Sequence, residues 1–558
     1  MSANIASQLA TVRAYHERSK HHFNRYARSP GGLDWVNQPD PFRRFLGAPQ
    51  VSLDRDENWT GPTYDALFED DKVPSSPVDR ASVSRLFFDS LAISAWKQAG
   101  QSRWSLRVNP SSGDLHPTEC YLVSGPVSGL FDGAGVHHYS PYDHSLELRF
   151  WLGEEEWGHL RAGLPEGAFL LGLTSIHWRE SWKYGERAFR YCQHDVGHAL
   201  GAISIAAAAL GWSAGIVPAV PDVRLARLLG IDEQRGEEAE HPDCLVAVIP
   251  KAIFEVNEEW RPSLKVLIEL AERAPAGRPN RLSKSNRPWP IIEEVTAATL
   301  IEEGQGGAEQ LEAEPGGTRR SSEEPVPDRR IPARRLIRQR RSAVSMDGST
   351  EMDREAFFHM LARVTPALTP GPFRILPWRP RVALVIFVHR VRGLEPGLYV
   401  LLRDQLHRES LEPSVEGAFV WQRPPECPPG LELCLLQQGD AREAAQIISC
   451  GQEIASDGVF SVGMLAEMSP ALENFGAWFY RALFWETGLI GQMLYLEAEA
   501  AGIRGTGIGC FFDDAVHQLL GLTDQRWQSL YHFTVGGGVE DLRLTSLPAY
   551  HHGEVNGR

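Results

Sequence analysis

Two stretches of the 558-residue chain repeat the same order of apolar and polar positions. RYCQHDVGHALGAISIAAAALGW begins at Arg190 and RALFWETGLIGQMLYLEAEAAGI begins at Arg481. With no gap across forty residues, Arg190, Asp195, Gly197, Gly211, Asp222 and Leu228-Leu229-Gly230 fall on Arg481, Glu486, Gly488, Gly502, Asp513 and Leu519-Leu520-Gly521. Each copy predicts a long helix, a glycine stop, a loop and a short helix ending in Leu-Leu-Gly. The first copy carries no charge from Ala199 to Pro221, a length that nominally spans a bilayer of about 30 Å. Its Ala, Gly and Ser content, with Pro218 and Pro221, predicts a buried, closely packed helix running into a loop rather than a membrane anchor. Gly197, Gly201, Gly488 and Gly491 would let two such helices approach closely, so a duplicated unit folded on itself as a pseudo-dimer is expected.

Around these repeats the chain divides. MSANIASQLATVRAYHERSKHHF reads as a polar helix without the apolar centre of a signal peptide, the start of an arm over residues 1–70. Residues 71–298 form a first domain and 334–558 a second of similar size. Residues 299–333 between them, above all EEGQGGAEQLEAEPGGTRRSSEEPVPDRRIPA from Glu302, have almost no large apolar group to offset the entropy of ordering, and read as a disordered tether. RVNPSSGDLHPTECYLV, residues 107–123, packs small hydrogen-bonding groups into a turn that runs straight into an apolar strand. The formal charge of −16 opposes nucleic acid and anionic membranes as partners. Seven cysteines with no CxxC spacing argue against a disulfide framework or zinc ribbon and fit a reducing cytoplasm.

The PSSG turn, the KYGERAFRYCQHDVGHA segment, the GIGCFFDD loop and the RQRRS start of the second domain resemble the nitroreductase superfamily of FMN enzymes, specifically its SagB-type dehydrogenase branch. The resemblance implies an α+β fold: two nitroreductase-like halves, each an antiparallel-leaning mixed sheet with flanking helices, packed face to face. It also implies an FMN site that takes its phosphate-binding residues from one half and its turn from the other. Arg340, Arg341 and Ser342 supply guanidinium forks and a hydroxyl for a phosphate, with Arg543 a further fork after a glycine run. Pro110, Ser111, Ser112, Gly113 and Asp114 suit the polar rim of the flavin ring, backbone amides of Gly507, Ile508 and Gly509 suit its reactive edge, and Ser449 and Gln452 fall where the family contacts ring and ribityl. The reverse site is expected to be dismantled: PGPFRILPWRP, residues 370–380, has no serine pair, and Arg80-Ala81-Ser82 lacks the companion glycine run and arginine. One flavin per chain follows.

Lys183-Tyr184 matches a Lys-Tyr pair of SagB-type azoline dehydrogenases, implicated in removing a proton while hydride leaves for the flavin N5. Both side chains titrate near 10 when free, so a neutral-pH base needs burial or a cation such as Arg187 to depress one of them; the competing reading is that the triplet with Trp182 only packs its rings. Arg190 and Tyr191 are assigned to domain packing. The expected reaction is oxidation of a carbon–nitrogen bond in a peptide-derived or small heterocyclic substrate. NAD(P)H-driven reduction of nitro or quinone compounds is the alternative, and a flavin-free scaffold a second. A metallohydrolase on His194 and His198, spaced four apart, lacks a third ligand and a duplicate, since Trp485 and Leu489 stand in the second copy. No metal is therefore assigned. Further oligomerisation of the chain stays open.

Overall fold

The computed structural model describes residues 3–218, 220–251, 263–305, 330–415 and 418–551. Two sheets organise it. The first runs Gln50–Ser52, Ser145–Leu152, Ala134–Ser140, Thr118–Ser124, Phe169–Ser175, His241–Ile249, Ser213–Ile216 across its width. The second runs Glu432–Gln438, Gly397–Leu402, Val382–Val388, Phe460–Glu467, Trp527–Gly536, Arg504–Ile508. Every neighbouring pair in both is antiparallel. Thr118–Ser124 and Val382–Val388 are buried along their whole length, and the second accordingly reads as a continuous apolar run rather than as alternation. Leu122 and Leu171 face the core between the halves, whereas Tyr121, Val123 and Leu170 face an outer layer under the Asp222–Leu229 helix. The second half repeats this, with Leu384 and Val462 inward and Val385 and Val400 outward against Val516 and Leu520.

The repeated segments form the helices Ala188–Ala208 and Phe479–Ala500, buried along almost their whole length and packed on each other in one core shared by both halves. Their contact depends on missing side chains. A methyl on Gly197 would lie 2.3 Å from the Trp485 carbonyl oxygen, and one on Gly488 would lie 2.2 Å from that of His194. The short helices Asp222–Leu229 and Ala515–Leu520 both end on a left-handed glycine, Gly230 and Gly521, as the Leu-Leu-Gly pattern predicts. No helix among the described residues is long and apolar enough to cross a membrane; the uncharged run from Ala199 ends its helix at Ala208 and continues into the strand Ser213–Ile216.

Residues matched by the repeat exchange partners across the seam. Arg190 reaches Asp513 at 2.6 Å, and Arg481 reaches Asp222 at 2.8 Å. The chain ends cross it too. Thr545–Leu547 pairs with Trp96–Gln98 of the first half. The Ala3–Arg18 helix touches both halves, its Tyr15 hydroxyl donating to the Glu186 carbonyl at 2.8 Å and His16 meeting the Tyr480 hydroxyl at 3.0 Å. Most of the expected tether, residues 306–329, lies outside the described residues. Its near flank rests on the first half, where the Ile301 amide donates to the Asp222 carboxylate and the Ile301 carbonyl accepts the Asp222 amide, and the chain resumes into the Ala333–Gln339 helix.

Candidate functional site

The Ser112–Asp114 turn leaves its strand through two non-glycine residues in the left-handed region, Asp114 at φ 56° and His116 at φ 52°, a conformation that persists only where surroundings impose it. They do so through Asp195 on the first central helix, whose carboxylate accepts the Ser112 amide at 3.2 Å, and through Ser111, whose hydroxyl accepts the His116 amide at 2.8 Å. Pro110 is buried behind the turn. Lys183 and Tyr184, at the end of the His177–Tyr184 helix, face the turn so closely that a methyl on Gly113 would meet the Tyr184 hydroxyl at 2.6 Å and Lys183 Nζ at 2.7 Å. Tyr184 packs on Tyr191, ring centroids 4.4 Å apart, and the Tyr191 hydroxyl donates across the seam to the Gly509 carbonyl at 3.0 Å. The turn, the Lys-Tyr pair and Gly509, at the end of the Arg504–Ile508 strand, thus meet in one place.

Arg340 enters from the other side. Its guanidinium donates to the carbonyls of Arg107 at 3.0 Å and Val108 at 3.2 Å, just ahead of the turn, and leaves Nη1 buried without a hydrogen-bond partner. Arg341 donates to the carbonyls of Arg338, Arg340 and Ser94, and its charged form is destabilised to a pKa of about 10 by burial and by the neighbouring Arg340 and Arg338. Arg504 pairs with Glu499, and the Ser342 hydroxyl meets the Tyr495 hydroxyl at 2.8 Å. Asp114 links the two ends: burial pushes it up to about 6, while Arg340 and Lys183 pull the other way.

Several expected residues take other roles. Arg543 folds back on Asp541 at 2.7 Å with its side chain 88% exposed, because an acid two residues away captures it at little entropic cost; it does not join Arg340. The Gly507 amide donates to the Tyr495 hydroxyl at 3.0 Å, so it is already satisfied, and the Ile508 side chain belongs to the outer core of the second half. Gln452 props the loop from behind, donating to the carbonyls of Ser449 at 2.7 Å and Cys510 at 2.8 Å. Arg187, the proposed cation for a base, is held by Asp513 at 2.9 Å. Tyr184 is pushed above the ordinary phenol by burial and then by Glu180, so it stays protonated. His194 stacks on Tyr531 at 4.2 Å and His198 meets the Tyr531 hydroxyl at 3.1 Å.

The residues expected at a reverse site are engaged elsewhere. Ser82 closes a capping box with Asp79, and Arg80 pairs with Asp54 at 2.7 Å. Phe373 and Ile375 of the 370–380 segment are buried. Glu486, the repeat mate of Asp195, accepts the Arg381 amide at 3.0 Å and is neutralised by buried Arg403.

A nitroreductase family model matches residues 76–248 and 407–537, together more than half of the chain and part of both halves. The chain belongs to the nitroreductase family. A putative nitroreductase of Methanocaldococcus jannaschii is 27% identical over 166 residues, covering 28% of this chain and 78% of that protein. The crystal structure of a putative nitroreductase from Anabaena variabilis superposes with a TM-score of 0.68 at 21% identity, over 95% of this chain and 99% of that one. That likeness is one of fold and takes in both halves.

As a nitroreductase family member the protein is an oxidoreductase. Its seam has the chemistry that a flavin nucleotide needs at both ends. Arg338, Arg340, Arg341 and Arg504 interact repulsively around Glu499, an excess of cation that an anion would relieve, and Arg340 Nη1 is a buried donor still to be satisfied. At the other end Gly113 and Gly509 are walled by tyrosines where any side chain would collide. Sequence reasoning missed Glu180 and Asp195, the buried acids under the turn. Glu180, Lys183 and Tyr184 share a helix face at spacings of three and four, the signal that could have found the first.

Proposed function

We propose that the protein is an FMN-dependent dehydrogenase of the SagB type, holding one flavin in the seam between its halves in an intramolecular version of a two-subunit site. The observation that carries this reading is the meeting of the first half's Ser111–Asp114 turn and Lys183-Tyr184 pair with the second half's Arg340–Ser342 head and Gly507–Gly509 loop, joined by Tyr191 on Gly509 and by Asp114 between Arg340 and Lys183. FMN, when bound, supplies a two-electron acceptor. The chain's own residues do the rest. Arg340, Arg341 and Ser342 bind the phosphate; Ser112 and Asp114 meet the ring's polar rim; Lys183 and Tyr184 face the substrate.

Burial keeps Tyr184 a proton donor, so within the pair the tyrosine donates to and orients the substrate, with Lys183 beside it at the turn. A carbon–nitrogen bond in a peptide-derived or small heterocyclic compound is the substrate class that such a pair suits. The other partners of Arg80, Ser82 and Glu486 support a single flavin. Loss of one charged hydrogen bond costs about 1.5–3 kcal/mol, about ten- to a hundredfold in Kd. Arg340→Ala and Arg341→Ala are therefore expected to lose flavin on desalting, and Arg80→Ala to retain it. Equal retention in all three sinks the assignment. Slow bleaching of the bound flavin by NAD(P)H separates the dehydrogenase from a nitro or quinone reductase, which would bleach at once.

A further inference from the structure

Seven cysteines are free in the structure; five of them, Cys120, Cys192, Cys244, Cys427 and Cys434, are buried, and two, Cys450 and Cys510, are partly exposed. Those two come from different loops and meet, their sulfurs 3.0 Å apart. Three features aim them at each other. Cys450 occupies the left-handed region at φ 55°, a conformation that a cysteine rarely adopts, ahead of Gly451 at φ 74°. Gln452 clamps the two loops by donating to the Cys510 carbonyl at 2.8 Å. Tyr191 and Arg187 hold the preceding Gly509 carbonyl at 3.0 and 3.3 Å.

The surroundings make Cys510 the nucleophile. A hydrogen bond from Cys450, then contacts with His21 and Arg187, hold its thiol well below the ordinary range, while Cys450 is pushed up. His21 Nδ1 accepts the Ala27 amide at 2.9 Å, which leaves Nε2–H to donate to the Cys510 sulfur. Tyr26 reaches Cys450, and Asp513 is engaged by Arg187 and Arg190, so its carboxylate is already compensated. The arm lies beside the pair, with Phe23 against Phe512 at 4.5 Å and Phe23 and Tyr26 largely open to solvent.

We propose that Cys450 and Cys510 are a peroxide-sensitive dithiol that closes to a disulfide beside the Gly507–Gly509 loop. The Cys510 thiolate attacks one oxygen of hydrogen peroxide, the O–O bond breaks, and hydroxide leaves, giving a sulfenic acid. The Cys450 sulfur then attacks that sulfur, the S–S bond forms, and the sulfenic oxygen leaves as water. The released hydroxide takes up the proton that Cys510 lost on ionising, so the two sulfurs lose two electrons and the peroxide is reduced to two waters. The pairing rests on the 3.0 Å approach of the two sulfurs and the choice of nucleophile on the surroundings of Cys510, and both are independent of whether the seam holds flavin.

The full-length protein, treated with hydrogen peroxide and then denatured and alkylated, is expected to lose two of its seven thiols, recover them with dithiothreitol, and yield one cross-linked peptide joining residues 450 and 510. Cys450→Ser is expected to trap a dimedone-reactive sulfenic acid on Cys510, and Cys510→Ser to leave Cys450 reduced. In the untreated protein at about pH 6, iodoacetamide is expected to label Cys510 roughly tenfold or more faster than Cys450. The proposal is overturned if oxidation spreads over other cysteines, if Cys510 is labelled no faster than Cys450, or if the pair proves to be shielded by a bound metal.

Discussion

Asp114 sits between Arg340 and Lys183, and burial lifts it to about 6. At this one carboxyl, proton binding and folding are linked. Its folded pKa is above the unfolded value of about 3.9, so its contribution to stability is complete below about pH 4 and is lost as the pH rises to about 6. Asp114→Asn is expected to flatten that part of the curve: urea midpoints of the wild type should fall relative to the variant between about pH 4 and 7. A parallel pair of curves would place the proton elsewhere. Lys183 and Tyr184 make a separate prediction. Lys183→Met and Tyr184→Phe are expected to keep the flavin yet lower turnover by about a hundredfold, the usual scale for a positioned proton-transfer group. Loss of flavin or of thermal stability with unchanged turnover per flavin would return the pair to a packing role.

At the scale of elements, the two central helices touch where glycine replaces a side chain. Gly488→Ala places a methyl 2.2 Å from the backbone oxygen of His194, which cannot rotate away. Overpacking of this kind costs about 1–3 kcal/mol, and a lowered thermal midpoint is expected. Gly158→Ala is the control: its helix position has nothing within 4 Å, so the substitution should be neutral or stabilising by up to about 1 kcal/mol. Both helices, their glycine contacts and the Leu-Leu-Gly stops were legible in the chain because the repeat runs without a gap. So was the nearness of the PSSG turn to the second half. Long-range partners were not legible: Arg190 finds Asp513 across the seam, and Cys450 finds Cys510 within the second half, through tertiary placement, not spacing. Arg543 turns to Asp541, an acid two residues away that the sequence displays but whose capture of the guanidinium only the folded chain shows. Asp195 was legible as a repeat position, but its role, holding the Ser112 amide, exists only once the turn has folded onto the helix.

Across the whole molecule, the reciprocal pairs Arg190–Asp513 and Arg481–Asp222 are what a twofold-related contact produces when two copies are fused into one chain. Symmetry then breaks at the chemistry. Asp195 holds the open turn, whereas Glu486 at the matching position is closed by Arg403. Asp513 carries the seam on one side, since removing its charge would leave Arg187 and Arg190 both buried and unpaired. Asp513→Asn is expected to destabilise the chain by about 3–5 kcal/mol in urea unfolding. The central claim is one nucleotide in one seam, and the ratio of FMN to polypeptide in the purified protein, from its visible spectrum and protein content, tests it most directly. The account predicts a yellow protein with a ratio near one; a ratio near two, or a colourless chain that refuses added FMN, would contradict it.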